Sequence, residues 1–260
     1  MSLDADRLVR ETFVARVEHF PVLGSTNDRA KQCAAEGSGP LPLLVVADQQ
    51  TAGRGRGTNR WWTGRGALAF SLLVDGRSRG ADFSRGPLVS LSAAVAMTEA
   101  VGAVLPGVEV GIHWPNDVFA AGRKLAGILV ETLAGGLCVV GVGLNLNNTM
   151  RDAPAELRAV ASTVLDLTGA RHDPMSLLIA FLRRLAALLE QLPTSPGLVG
   201  RLADGLCLQR GRSLSIESGG KTICGRCFGI APDGAMLLDT PSGRERIVTG
   251  ILAKEKPPPT

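Results

Sequence analysis

The sequence predicts an α+β chain: a larger part in which buried strands are interspersed with helices, followed by a small β-barrel. Three observations carry this. Apolar runs too short for helices recur in "LPLLVVADQ", "ALAFSLLVD" and "GLCVVGVGLNL", as expected of strands covered on both faces. "DPMSLLIAFLRRLAALLEQL" repeats leucine at helical spacing behind an Asp–Pro start. Residues 208–253 show no helical pattern, only short strands cut by glycine turns.

Taken in order, residues 1–24 form a lead-in ending in a strand, "ARVEHFPVL". In "GSTNDRAKQCAAEGSG", Ser25 or Thr26 caps a helix, Asp28 sits in its first turn and Gly37 ends it. "LPLLVVADQ" is a strand, followed by an arginine–glycine loop, the strand "ALAFSLLVD" and a polar loop, "RSRGADFSR". "PLVSLSAAVAMTEAVGAVLP" is an Ala-rich helix with Pro87 near its start and Gly107 after its end. "VEVGIHW" is a strand, "DVFAAGRKLAGILVET" a strand–turn–strand, and "GLCVVGVGLNL" another buried strand. Short helical pieces occupy 151–170, and the surest helix starts at Pro174 behind the cap Asp173. "PTSPG" breaks the chain before a helical piece that runs to Leu206. "GRSLSIES", "KTICGRCFGIA", "AMLLDT" and "RERIVTGIL" then build the barrel, and "KEKPPPT" is a frayed tail.

Composition narrows the function class. With 45% hydrophobic and 20% charged residues over 260 positions, the chain has ample apolar surface for a core. A net charge of +4 suits a protein that handles anions and is too small to demand nucleic acid. Five widely spaced cysteines argue against a disulfide framework. The acidic N-terminus is no signal peptide, and no apolar run reaches about 18 residues, so a soluble cytoplasmic protein is expected. Cys224 and Cys227 lack the second Cys/His pair of a zinc site, and residues three apart on a strand face opposite ways. His19 and His172 have no triad partner in sequence.

The chemistry concentrates in "QTAGRGRGTNRWW". Glycine lets backbone N–H groups approach a ligand, and arginine offers a planar fork of donors for carboxylate or phosphate. Alone, the loop reads as well as a solvated basic segment as it does as an anion site, and a nucleic-acid grip is a further competitor. Two other stretches shift the balance: "GSTN", with polar side chains at a helix start, and "HWPNDVFAAGRKLAGILVE", where Lys124 follows Asp117 by seven residues across a strand–turn–strand.

With GSTN, QTAGRGRG, WPND, GRKLAGILVE and GVGLN in this order, the chain resembles the biotin protein ligases from about Val22 to Asn147, and more weakly over the barrel. The resemblance implies a catalytic domain at 1–206 with the mixed sheet of class II aminoacyl-tRNA synthetases, its helices on one side. It further implies an SH3-like C-terminal domain at 207–254 and a tail at 255–260. The activity implied is ATP-dependent formation of biotinyl-5′-adenylate, with Mg2+, then transfer to a lysine of a carboxylase carrier domain. Lys124 would bridge the biotin carboxylate and the α-phosphate; Arg54 and Arg56 would hold the same ends; Asp117 would organise metal or the incoming amine. Ser25, Thr26, Asn27 and Gln50 would bind the ureido ring, with Gly53, Gly55 and Gly127 in the biotin site. Asn59, Trp61, His113, Asn116 and Asn145 would join Arg54, Arg56 and Lys124 around the nucleotide.

Two positions depart from the family pattern. Many bacterial members carry arginine two places before the loop tryptophan; here that place is Asn59 if Trp61 is the match, or Arg60 if Trp62 is. His113 stands where lysine is usual, from which a weaker and more pH-sensitive ATP site is expected. Only 24 residues precede Ser25, too few for the helix-turn-helix of the repressor members, so a monofunctional type is expected. Neither nucleic acid nor membrane is expected as a partner, and monomer and homodimer stay open. The competing readings are a lipoate–protein ligase of the same fold, whose usual motifs are not matched, and a nucleic-acid-binding module using the Arg–Gly loop. The latter has few aromatic platforms: no tyrosine, seven Phe and three Trp.

Overall fold

The computed structural model describes residues 3–37, 39–76, 86–195 and 197–256; the expected polar loop over 77–85 lies outside them. Seven strands form the large sheet: β1 (Arg16–Leu23), β2 (Leu43–Gln50), β3 (Leu68–Asp75), β4 (Val110–His113), β5 (Asp117–Ala120), β6 (Arg123–Thr132) and β7 (Leu137–Leu144). Their spatial order is β1-β2-β3-β7-β6-β5-β4. β1 runs parallel to β2 and every other neighbouring pair is antiparallel, so the sheet is mixed.

Side-chain alternation sends the two faces of this sheet to different cores. Leu44, Val46, Phe70, Leu72 and Val140 join the main core with helices α3 (Gly86–Gly102) and α6 (Pro174–Gln191). Leu43, Val45, Leu73 and Val139 face the other way, onto Ala30 and Cys33 of α2 (Thr26–Glu36). Helices therefore flank both faces, correcting the expectation of one side: α2 carries a short apolar stripe of its own that the opposite face of the central strands covers. α3 is apolar all round because it lies between the sheet and α6. α6 starts as expected, with Asp173 accepting from the N–H groups of Met175 and Ser176.

Some boundaries moved. A first helix, α1 (Ala5–Glu11), occupies the lead-in, capped by Asp4 accepting from Arg7 N at 2.8 Å. α3 ends at Gly102, short of the expected Pro106, and Gly107, with φ of 77°, turns the chain toward β4. Between β7 and α6 lie only short pieces, a 3-10 turn at Met150–Asp152, α4 (Ala155–Arg158) and α5 (Val164–Thr168), and α7 (Leu198–Gly205) follows.

The C-terminal unit is an antiparallel sheet of β8 (Ser213–Ser218), β9 (Lys221–Ile230), β10 (Met236–Thr240), β11 (Gly243–Ile247) and β12 (Ile251–Lys256), in the order β11-β10-β9-β8-β12. β12 takes residues through Lys256, which corrects the expectation of a tail from 255: pairing with β8 satisfies that backbone. Residues 206–208 run alongside β4, with Ile112 N donating to Leu206 O at 2.7 Å and Leu208 N to Ile112 O at 3.1 Å. A side chain at Gly111 would collide with the Leu206 carbonyl, so glycine permits this approach. Leu214, Ile216, Met236 and Leu238 continue the main core. No helix among the described residues is long and apolar enough to cross a membrane.

Candidate active site

One cleft, of about 760 Å³, opens over the middle of β6 and the end of β7, beneath the arginine–glycine loop and against the C-terminal sheet. Its floor is made possible by glycines two apart on β7, which share one face of the strand. A Cβ at Gly141 would fall inside the Asn27 carboxamide, and one at Gly143 inside the Trp61 indole. On the neighbouring strand a Cβ at Gly127 would press on both Trp61 and the end of Lys124.

The deep end is polar and buried. Ser25, Thr26 and Asn27, at the start of α2, are 4%, 3% and 4% exposed, too enclosed to be satisfied by solvent. Ser25 is both the helix cap, accepting from Asp28 N at 3.4 Å, and part of the cleft wall. Gln50 Oε1 accepts from Thr26 N at 2.8 Å, and its Nε2 donates to Thr63 Oγ1 at 3.3 Å. Ser71 Oγ lies 2.7 Å from Thr26 Oγ1 and donates to Asn27 Oδ1 at 2.6 Å.

The loop above is folded on itself. Gly55 N donates to Asn59 O at 2.8 Å and Trp61 N to Gly53 O at 3.0 Å. Gly53 is needed because a side chain there would strike the Trp61 carbonyl. Trp61 turns into the cleft, whereas Trp62 packs on Met150, Ala153 and Ala161, so the adjacent tryptophans have separate jobs. Asn59 and Arg60 both line the cleft. Arg54 pairs with Asp28 at 2.6 Å and with Glu131 at 3.1 Å; Lys31 reaches the same two carboxylates at 3.0 Å each. Burial pushes the Asp28 carboxyl up, but Lys31 and Arg54 outweigh it and hold it below the usual range. Arg56 donates to Asn116 Oδ1 at 3.4 Å.

Opposite lies the hairpin of β5 and β6. Its turn holds Ala121 and Gly122 at φ of 49° and 73°. Lys124 Nζ is 2.7 Å from Asp117 Oδ1 and 5.8 Å from the Trp61 ring centroid. The Lys124 backbone is fixed on both sides, its N–H donating to Val160 O and its carbonyl accepting from Ser162 N, each at 2.9 Å. Asn116 donates to Ile128 O at 2.6 Å. His113 stacks on Phe119, with centroids 4.3 Å apart, and its Nε2 meets Glu255 Oε2 at 2.7 Å.

Trp114 joins the two sheets, and Pro115 lines the cleft beside it. The Trp114 indole, 2% exposed, donates to Gly234 O at 3.0 Å, and its backbone N–H to Gln209 Oε1 at 2.7 Å. The cleft's outer wall is C-terminal: Glu217 and Ser218 at the end of β8, Gly219 in the turn after it, and Thr249 to Leu252 entering β12.

Of the sequence-derived candidates, Ser25, Thr26, Asn27, Gln50, Arg54, Gly55, Arg56, Asn59, Trp61, His113, Asn116, Asp117, Lys124 and Gly127 line this cleft. Gly53 supports it from behind. Asn145 stands apart: it is 4% exposed, outside the lining, and its Oδ1 accepts from Asn148 at 3.1 Å. Sequence reasoning missed Ser71, Thr63, Glu131, Gly141 and Gly143, and it left open whether the C-terminal barrel closes over the nucleotide and carrier or only packs, naming none of its residues. The alternation in "GVG" was the available signal for the two glycines. Cys224 is exposed and Cys227 buried, and among the described residues no three metal-ligating side chains converge.

Residues 19–147 match the profile of the Biotin/lipoate A/B protein ligase family. Over 236 residues the chain is 35% identical to the biotin–[acetyl-CoA-carboxylase] ligase of Mycobacterium tuberculosis, spanning 87% of this chain and 84% of that protein. Over 232 residues it is 34% identical to the protein of that name from Paracoccus denitrificans, spanning 86% and 94%. Among solved structures, the biotin protein ligase from Aquifex aeolicus in complex with biotin and ATP superposes with a TM-score of 0.81 at 26% identity, over 92% of this chain and 98% of that one.

Proposed function

The chain belongs to the biotin/lipoate A/B protein ligase family, and from that premise we propose that it attaches biotin to a lysine of a carboxylase carrier domain at the expense of ATP. One observation carries the reading: a single cleft joins a buried pocket of uncharged hydrogen-bonding groups to an end bearing Arg54, Arg56 and Lys124. An acid with a neutral polar head needs the first, and its meeting with a polyanion needs the second.

In the first half-reaction a biotin carboxylate oxygen attacks the α-phosphorus. The P–O bond to the β-phosphate breaks and pyrophosphate leaves. Two anions repel until cations stand between them, so we assign Lys124 to the carboxylate and α-phosphate, with Arg56 beside it. Arg54 would exchange Asp28 and Glu131 for the same anions, and Lys31 stays behind as counter-ion for both carboxylates. We assign Trp61 to cover the adenylate and the loop to exclude water from the mixed anhydride. Mg2+ would arrive as Mg-ATP, held mostly by phosphate and water, with Asp117 the carboxylate beside it. In the second half-reaction the lysine amine attacks the acyl carbon, the C–O bond to AMP breaks, and the amine gives up a proton. A cytoplasmic setting, where carboxylases work, suits this chemistry.

The deep pocket disfavours a lipoyl substrate. A dithiolane offers neither a strong donor nor a strong acceptor, and would leave the spare proton of Ser25, that of Gln50 and the spare lone pair of Asn27 unmet in a buried site. A nucleic-acid grip is disfavoured too, since the chain carries a net charge of only +4 and few aromatic platforms. The deciding experiment is ATP–pyrophosphate exchange with biotin or lipoate, then mass spectrometry of a carrier domain. Exchange with biotin, with a biotinyl mass gain on one lysine, is expected; exchange with lipoate alone would refute the proposal.

A further inference from the structure

Glu131, near the end of β6, lies just behind the cleft with both oxygens occupied. Oε2 accepts from Asn27 Nδ2 at 2.8 Å; Oε1 accepts from Lys31 at 3.0 Å and from Arg54 at 3.1 Å. Burial pushes this carboxyl up, but Asn27, Lys31 and Arg54 outweigh it and hold it below the usual range. It is an anion at neutral pH.

That anion decides which way round the Asn27 amide sits. Nδ2 donates to Glu131 and lies 3.5 Å from the Leu129 carbonyl, while Oδ1 accepts from Ser71 Oγ at 2.6 Å. Turned over, Oδ1 would face a carboxylate and a carbonyl with no proton between them. Both amide hydrogens therefore point at protein acceptors, and what Asn27 has left for a ligand is a lone pair. The neighbouring groups have the opposite surplus. Gln50 Nε2 spends one hydrogen on Thr63 and keeps another. Ser25 Oγ accepts from Asp28 N and keeps its own proton. One acceptor beside two donors complements a cyclic urea, whose carbonyl is flanked by N–H groups.

We infer that Glu131 is a positioning residue that makes Asn27 an acceptor for a ring N–H, and thereby selects cyclic-urea acids over acids lacking it. The inference rests on the biotin ligase reading above. A carboxylate is required because it accepts at both oxygens. Glutamine of the same shape accepts at only one, and Lys31, which stays in place when Arg54 turns to the substrate, claims it. Its NH2 then faces Asn27, whose amide turns over and donates its other side to Ser71. The group offered to the ligand changes from acceptor to donor.

The test is Glu131→Gln, assayed by ATP–pyrophosphate exchange with biotin and with analogues in which either ring N–H is replaced by oxygen. The wild type should prefer biotin to at least one analogue by about 100-fold. In Glu131→Gln the biotin KM should rise about tenfold or more, with kcat at saturating biotin within about threefold. The preference over the analogue should fall to within about threefold. A purely structural residue would not move that ratio. A folded Glu131→Gln that keeps the wild-type preference overturns the inference. If that variant does not fold, Glu131→Ala, which frees the amide to turn, should lose about tenfold of the preference, and retaining it is equally fatal. A wild type inactive with biotin would sink the ligase reading itself, an outcome distinct from an active wild type matched by its variant.

Discussion

Lys124 has a carboxylate at 2.7 Å, yet about a third of its side chain is exposed, and a pair so placed adds little to stability. Its backbone, not its ammonium, is what the fold grips, through Val160 and Ser162. Lys124→Ala should therefore fold with Tm within about 3 °C of wild type. It should lose about 100-fold or more in pyrophosphate exchange, the usual cost of removing one placed charge. Turnover near wild type would remove Lys124 from the mechanism. Gly143→Ala makes the converse point: the added methyl collides with the indole of Trp61. The ring must leave, which should appear as a shift in tryptophan emission and a rise of about tenfold in the ATP KM. These residues differ in how far sequence could reveal them. Lys124 was visible because its chemistry is local to a hairpin. Gly143 and Glu131 act through partners some 80 and 100 positions away, Trp61 and Asn27, and spacing along the chain carries no sign of that.

The C-terminal strand β12 shows the same limit for an element. Its "KEK" is too polar to announce a strand, yet Glu255 sits between His113 Nε2 at 2.7 Å and Arg212 at 2.9 Å. Hydrogen bonding from His113 is the largest influence on the Glu255 carboxyl; with Arg212 it outweighs burial and holds the group below its usual range. A carboxyl lowered on folding stabilises above its ordinary pKa, about 4.3, and that stabilisation is lost as pH falls through the depressed value. Glu255→Gln should thus melt about 2–4 °C below wild type at pH 7, and the two curves should converge as pH drops below about 4. A difference that persists in acid would assign the effect to packing. Elements announced by their own pattern fared better. α6 has its Asp–Pro start and leucine stripe, and β2, β3 and β7 their apolar runs. α1 and the early end of α3 were not legible, because a seven-residue helix has too few turns to show a period, and alanine-rich sequence does not say where packing stops.

At the scale of the whole molecule, the C-terminal sheet is the outer wall of the cleft. Glu217 to Gly219 and Thr249 to Leu252 line the same cleft as the Arg–Gly loop, and the Trp114 indole donates to Gly234 O across the junction. The apolar interior runs without a break from Phe70 and Phe181 through Val199 and Ala203 to Leu214 and Met236. Two units that share one core should unfold together, so calorimetry of the full chain should show a single transition with matching van't Hoff and calorimetric enthalpies. A chain ended after Leu206 would lose the partner of Trp114 and bare the apolar faces of α7 and β4. It should aggregate or melt without cooperativity, and show no pyrophosphate exchange. If instead that shortened chain folds and forms adenylate at near wild-type rates, the second sheet is a cover for the active site and not a part of it.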